Sequence, residues 1–211
     1  MDNDGFKDLF ISNGIFKDLT NQDYLQYISN KEVVKSIVQN NKVDYKRLVE
    51  IIPSEAVPNH SYRNLGGFQF KKFNNSGLNI ESFSNGSAYG DIDNDGWLDF
   101  YVGTGFPSLD AIIPNLLFRN DEGRRFEEVT NAGFGHLQKG HGISFADLDN
   151  DGDQDVYHSL GGFVKADGFW NILLENPGTE NNWITLDLEG ARSNRSGIGA
   201  EITIQASGPN G

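Results

Sequence analysis

Three short stretches gather carboxylates at a spacing that can hold a metal ion. Asp91-Ile92-Asp93-Asn94-Asp95-Gly96-Trp97-Leu98-Asp99 places acids at relative positions 1, 3, 5 and 9, with glycine at 6. The pattern returns as Asp147-Leu148-Asp149-Asn150-Asp151-Gly152-Asp153-Gln154-Asp155. Asp2, Asp4 and Asp8, around Gly5, supply positions 3, 5 and 9 of a third copy whose first position would precede Met1.

Alternate residues of a tight loop can turn their side chains to one point, and glycine permits the sharp turn after position 5. Several hard oxygens with carboxylate charge suit calcium; magnesium demands stricter octahedral geometry and keeps more water. Zinc is disfavoured because cysteine is absent and no histidine lies within the loops. An EF-hand would need a glutamate at position 12 between helices, but position 12 is Val102 in one copy and His158 in the other. The expected calcium ligands are Asp91, Asp93, Asp95, the Trp97 carbonyl and Asp99; Asp147, Asp149, Asp151, Asp153 and Asp155; and, in the partial copy, Asp2, Asp4 and Asp8. The simpler reading, that Asp-Asn-Asp-Gly only makes polar turns, explains one such loop better than three.

The loops also act as a ruler for the elements that position them. The complete copies lie 56 positions apart, from 91 to 147. Tyr62-Arg63-Asn64 and Phe118-Arg119-Asn120 each begin 31 positions before an acid at position 3, Asp93 or Asp149. Each unit reads as an aromatic strand, a turn, a second strand, a short strand of small residues (Ala88 and Gly90; Ser144 and Ala146), the acidic loop and a last strand. Four short strands per 55–60 residues fit a β-propeller blade. The first two loops are 91 positions apart, an excess of about 35 over the period. Residues 20–57 account for it: Val33, Val34, Ile37 and Val38 recur at helical spacing, as do Tyr45, Leu48, Val49 and Ile52, with Thr20, Asn21 and Asp44 as caps and Pro53 as a stop. The expected stripe faces a sheet. After Asn176-Pro177-Gly178 the repeat ends, and residues 183–189 and 200–205 alternate with period 2, as the start of another β-module. The fold class is thus all-β with a small helical insertion: a truncated blade (1–19), the insertion (20–57), two blades (58–113 and 114–178) and the opening of a second β-module (179–211).

The chain has 211 residues, no cysteine and a formal net charge of −13, and its mean hydropathy is −0.48. Its acidity opposes nucleic acid and anionic membranes as partners. No apolar run approaches the roughly 20 residues of a membrane span. Because Met1 falls inside a repeat, the chain reads as part of a longer polypeptide, and a missing leader is uninformative.

The loops and their strand flanks resemble the FG-GAP or VCBS repeats of integrin-α-like β-propellers. Asn182-Trp183, Leu188-Glu189-Gly190 and residues 193–200 resemble the opening of an ASPIC/UnbV domain, a pairing similar to the cartilage acidic protein family and its bacterial relatives. The resemblance implies a secreted or cell-surface calcium-binding propeller for adhesion, recognising a protein or glycan, without catalysis. The rest of a longer polypeptide would complete the ring. A propeller-scaffold lyase or glycosidase is the alternative. His136 and His141 read as structural or solvated, His158 as a strand residue, and Trp97 and Trp170 as core aromatics. Arg192 and Arg195 read as surface charges. Sequons at Asn59, Asn74, Asn85 and Asn194 matter only in a glycosylating host.

Overall fold

The computed structural model describes residues 1–14, 17–39, 42–106, 113–130, 132–162, 165–179, 184–192 and 194–205. It divides into two units, residues 1–181 and 182–211. In chain order the first contains β1 (Leu9–Ile11), α1 (Gln22–Ser29), α2 (Lys31–Ile37), β2 (Val38–Gln39), β3 (Lys42–Val43), α3 (Tyr45–Glu50), β4 (Val57–Pro58), β5 (His60–Asn64), β6 (Phe70–Lys72), β7 (Glu81–Ser82), β8 (Ser84–Gly90), β9 (Asp99–Thr104), β10 (Leu116–Asp121), β11 (Arg125–Glu128), β12 (Gly140–Ala146), β13 (Asp155–Leu160), a 3₁₀ turn (Lys165–Asp167) and β14 (Ile172–Leu174).

Three antiparallel sheets carry the unit: β1-β5-β6, β11-β10-β9-β8 and β12-β13-β14, with two-stranded ribbons β2-β3 and β4-β7 beside them. The strand after each acidic loop pairs with the strand that contains or leads to the recurring asparagine (Asn64, Asn120, Asn176): β1 with β5, β9 with β10, β13 with β14. The sheets therefore run out of phase with the sequence units 58–113 and 114–178. The central sheet takes β8 and β9 from one and β10 and β11 from the next. All six residues of β9 are buried. Its alternation explains why: Phe100 and Val102 pack with Leu78, Phe118, Phe126 and Phe10, while Tyr101 turns to the other side with Leu117 and Val156, against Ile143, Phe145 and Leu174. Residues on a strand alternate faces, so the central sheet contributes to an apolar cluster on each side.

The small residues let backbones approach. Strands β8 and β12 pack together. A Cβ at Gly86 would overlap the His141 carbonyl, and one at Gly90 would meet the Phe145 ring and the Gln154 amide.

The connection from β1 to β5 is residues 12–59, whereas β9–β10 and β13–β14 are joined by residues 105–115 and 161–171. Asn59 still reaches across it: its Oδ1 accepts the Asn13 N–H at 2.9 Å, as Asn115 accepts Thr104 N–H and Asn171 accepts Leu160 N–H. Asn21 caps α1 by accepting the Tyr24 N–H. The apolar stripe is another matter. No residue of α1 is buried, and Val34 and Val49 are exposed; Ile37 and Ile52 are buried. Helices α1 and α2 pack on each other and α2 packs on β2, so the stripe stays largely within the insertion.

Two further expectations change. Trp170 is 92% exposed and is no core residue, while Asn59 is fully buried, which closes that sequon in the folded chain. In the second unit, no described residue of 184–205 lies in a strand. It is built from turns: Gly190 N–H to the Arg195 carbonyl, Gly197 N–H to Asn194 and Ala200 N–H to Gly197. Alternation marks two faces, but a ladder needs a hydrogen-bonded neighbour, and these segments have none among the described residues of that unit. Trp183 lies outside the described residues.

Gly86→Ala is expected to lower stability by at least about 3 kcal/mol, because the added methyl has only backbone to displace. Gly133→Ala, at φ +80° with open space around it, is expected to cost only about 1–2 kcal/mol. Chemical denaturation midpoints check the ranking.

Candidate metal centre

Each acidic loop is folded by its own side chains. The asparagine at position 4 is left-handed in all three copies (Asn3 φ 52°, Asn94 φ 53°, Asn150 φ 65°), as is the glycine at position 6 (Gly5 φ 87°, Gly96 φ 90°, Gly152 φ 97°). Asn and Gly are the residues that tolerate this region. The position-5 carboxylate accepts the N–H of position 7 in every copy: Asp4 from Phe6, Asp95 from Trp97, Asp151 from Asp153. Asp91 accepts from Asp95 and Gly96 N–H, and Asp147 from Gly152 N–H.

Position 9 is the anchor. Asp99 accepts Ile92 N–H at 3.1 Å on Oδ2 and Asn120 N–H at 2.8 Å on Oδ1. Asp155 does the same with Leu148 and Asn176, at 3.1 and 2.9 Å. Asp8 accepts Asn64 N–H at 2.8 Å and pairs with the Met1 backbone nitrogen at 2.8 Å. The three asparagines, 56 positions apart, finish the joint. Asn120 donates its amide to the carbonyl of Leu98, at position 8 of its own loop, and to that of Met1, at position 2 of the preceding loop. Asn176 donates to Gln154 and Ile92 in the same way. Asn64 donates to Lys7. Each Oδ1 then accepts a turn N–H, from Gly66, Gly123 or Gly178. Other bonds run directly between loops: Asn3 donates to the Gly96 carbonyl, Asn94 to the Asp153 carboxylate, and Asp91 N–H to the Gln154 side chain.

This scaffold brings ligand atoms of Asp91, Asp93 and Asp99 within 4.8 Å of one another, and likewise those of Asp147, Asp149 and Asp151. Asp95 and Asp155 fall outside these triads, their carboxylates turned to backbone N–H groups. Asp153 is buried and held by Asn94. Asp2, Asp4 and Asp8 form no such cluster among the described residues. Asp2 instead faces Arg63 at 3.5 Å, whose guanidinium stacks 4.0 Å over Phe73 and donates to the Gly123 carbonyl. The Trp97 ring lies where it would meet a side chain at Gly123.

The electrostatics of the triads favour a cation. Burial pushes the Asp99 carboxyl up to about 7 against the pull of two N–H donors, and the charges of Asp93 and Asp95 add to the rise. Burial raises Asp91 and Asp93 too, with neighbouring acids contributing; desolvation raises Asp149. Desolvation and like charge both disfavour carboxylates, and a bound cation reverses that logic. An all-carboxylate donor set of hard oxygens fits calcium.

Residues 114–158 match the family model of the FG-GAP-like repeat. The match runs from the start of the central sheet's second half through the Asp147–Asp155 loop into β13. No curated protein shows significant similarity to the chain.

The linking asparagines were visible in the sequence as markers of the repeat, but not as joints. Their role needs the fold, because the carbonyls they bind come from two successive loops. Asn120→Ala is expected to cost about 2–4 kcal/mol, since it strands one buried N–H and two carbonyls. Asn64→Ala should cost less, having one carbonyl fewer and more solvent. Thermal unfolding of both variants checks the order.

Proposed function

We propose that the chain is a calcium-binding, β-propeller-type recognition module whose acidic loops are its ion sites. The FG-GAP-like repeat suggests such a module, and the observation that carries the ion is the pair of carboxylate triads at equivalent loop positions. Stacked antiparallel sheets with small residues where β8 meets β12 support successive blades. Residues Asp91, Asp93 and Asp99, and Asp147, Asp149 and Asp151, would hold the ions. The carbonyl at position 7 and the acids at positions 5 and 9 would complete the shells on ordering. The ion would supply charge neutralisation and a fixed loop, not chemistry on a substrate.

FG-GAP repeats typically occur in extracellular proteins, and that setting supports an extracellular or surface location with a protein or glycan as ligand. No helix among the described residues is long and apolar enough to cross a membrane. The module is proposed to act without catalysis. Its acids are explained by loop building and ion holding.

Affinity in the range of extracellular modules, on the order of 10⁻⁴–10⁻³ M, is expected. At a hundredfold excess over the dissociation constant each site adds about 2.7 kcal/mol, which for a chain of this size raises the melting temperature by roughly 5–10 °C. Calorimetric titration and thermal melts with calcium or chelator test this. Asp93→Asn with Asp149→Asn should abolish the heat and the shift; equal melts of the wild type in calcium and in chelator would refute the reading.

A further inference from the structure

Away from the acidic loops, the core holds a polar cluster in which Asn115 fixes the proton of His136. Asn115 Oδ1 accepts the Thr104 N–H at 2.9 Å, and its NH₂ donates to the carbonyls of His136 and Gln138 at 2.9 and 2.8 Å. Those partners fix the amide's orientation. His136 Nδ1, 3.0 Å from the same NH₂, therefore faces donors and must be an acceptor. The His136 proton then sits on Nε2, which points at Tyr101 Oη (3.1 Å) and His158 Nδ1 (3.3 Å). Tyr101 donates its own proton to the Phe134 carbonyl at 2.9 Å and lies 3.3 Å from His158 Nδ1. His158 is fully buried, and its Nε2 has no hydrogen-bond partner among the described residues.

An added proton is poorly met here. The Gln138 side chain favours charge on His136, but burial outweighs it, and at Nδ1 the proton would point into the Asn115 NH₂ group. On His158 it would leave a buried cation with a bare N–H beside Gly103 and Gly140. The groups around the pair are Tyr101 from β9, His141 from β12, which donates to the Gly161 carbonyl, and Lys139 beside Gly105. None can carry a compensating negative charge at neutral pH: burial raises the Tyr101 phenol above its ordinary value, and no carboxylate acts on either imidazole.

What the cluster holds is residues 132–139, the strap from β11 to β12. Its attachments to β9 and β10 run through Tyr101 and Asn115: Phe134 O on the Tyr101 hydroxyl, the Phe134 ring on the Tyr101 ring at 5.4 Å, and the 136 and 138 carbonyls on Asn115. Ala132 and Phe134 of the strap also wall a cavity of about 680 Å³ with Ile92, Leu117, Arg119 and Pro177.

We propose that Tyr101, Asn115, His136 and His158 form an acid-released latch: with both imidazoles neutral it clamps the 132–139 strap, and protonation frees the strap and unwalls the cavity. Burial holds His158 down at about 4, with His136 and His141 adding to the effect, and burial lowers His136. A folded value below the free one means that the released state takes up the proton first. The latch is fully closed above about pH 6.5 and loosens as pH falls from there toward 4. Below that both states are protonated and the loss is complete.

Amide hydrogen exchange on the whole chain, corrected for intrinsic rate, tests this with imidazole NMR titration. Residues 132–139 should lose about tenfold or more in protection between pH 7 and pH 4.5, while β9 and β10 lose less. His136→Gln with His158→Gln should make strap protection independent of pH over that range, whether the strap is held or free. Equal wild-type protection at both values would overturn the proposal, as would the same loss in the double variant. If that variant does not fold, the wild type decides alone: imidazoles titrating near 6.5 beneath a strap that stays protected would also overturn it.

Discussion

Everything in the first unit depends on one buried carboxylate and the asparagine that meets it. The acid at position 9 closes its loop through the N–H of position 2 and, with its other oxygen, takes the N–H of the asparagine at or just past the end of the neighbouring strand. That asparagine ties down the end of its own loop and the start of the preceding one. A carboxylate taken out of water is costly unless hydrogen bonds replace the lost hydration. Here they come from two separate parts of the chain, so the loop is held in place only when the sheets are. Loop, sheet and neighbour become one cooperative object, and a 48-residue connection can enter between β1 and β5 without disturbing it.

The same joint sets up the first carboxylate triad. Fixing position 9 in the interior brings Asp91 and Asp93 toward it, and their mutual repulsion adds to desolvation. The two triads are not equal: Asp99 is buried and shares its triad with half-buried neighbours, whereas Asp147, Asp149 and Asp151 are all exposed. Screening is weaker at the first, so an ion there relieves more strain. The loops also touch, through Asn94 on Asp153 and Gln154 on Asp91.

Much of this was legible in the residues. The 56-residue ruler located the strands around both complete loops, helical spacing marked helices between residues 20 and 57, and the Asp-Asn-Asp-Gly spacing located the loops. What stayed hidden depends on which surfaces meet. The sheets cut across the sequence units because the pairing partner of each post-loop strand lies in the next unit. The stripe on the helices gave a face but not a partner, and the described residues of 183–189 and 200–205 alternate without forming a ladder. Asn115, His136 and His158 carried no signal as a group, since 43 residues separate the first from the last and only the stacking of two sheets brings them together. Asp95 and Asp155 look like ligands by spacing; in the fold they lie outside the triads, with their carboxylates on backbone N–H groups.

The claim that the carboxylate triads are calcium sites is tested most directly by crystals grown with calcium and an anomalous difference map. The account predicts a peak among the oxygens of Asp91, Asp93 and Asp99, and a second among those of Asp147, Asp149 and Asp151, each at about 2.3–2.6 Å from its ligands. Loops that keep their folds at millimolar calcium with no anomalous peak at either triad would contradict it.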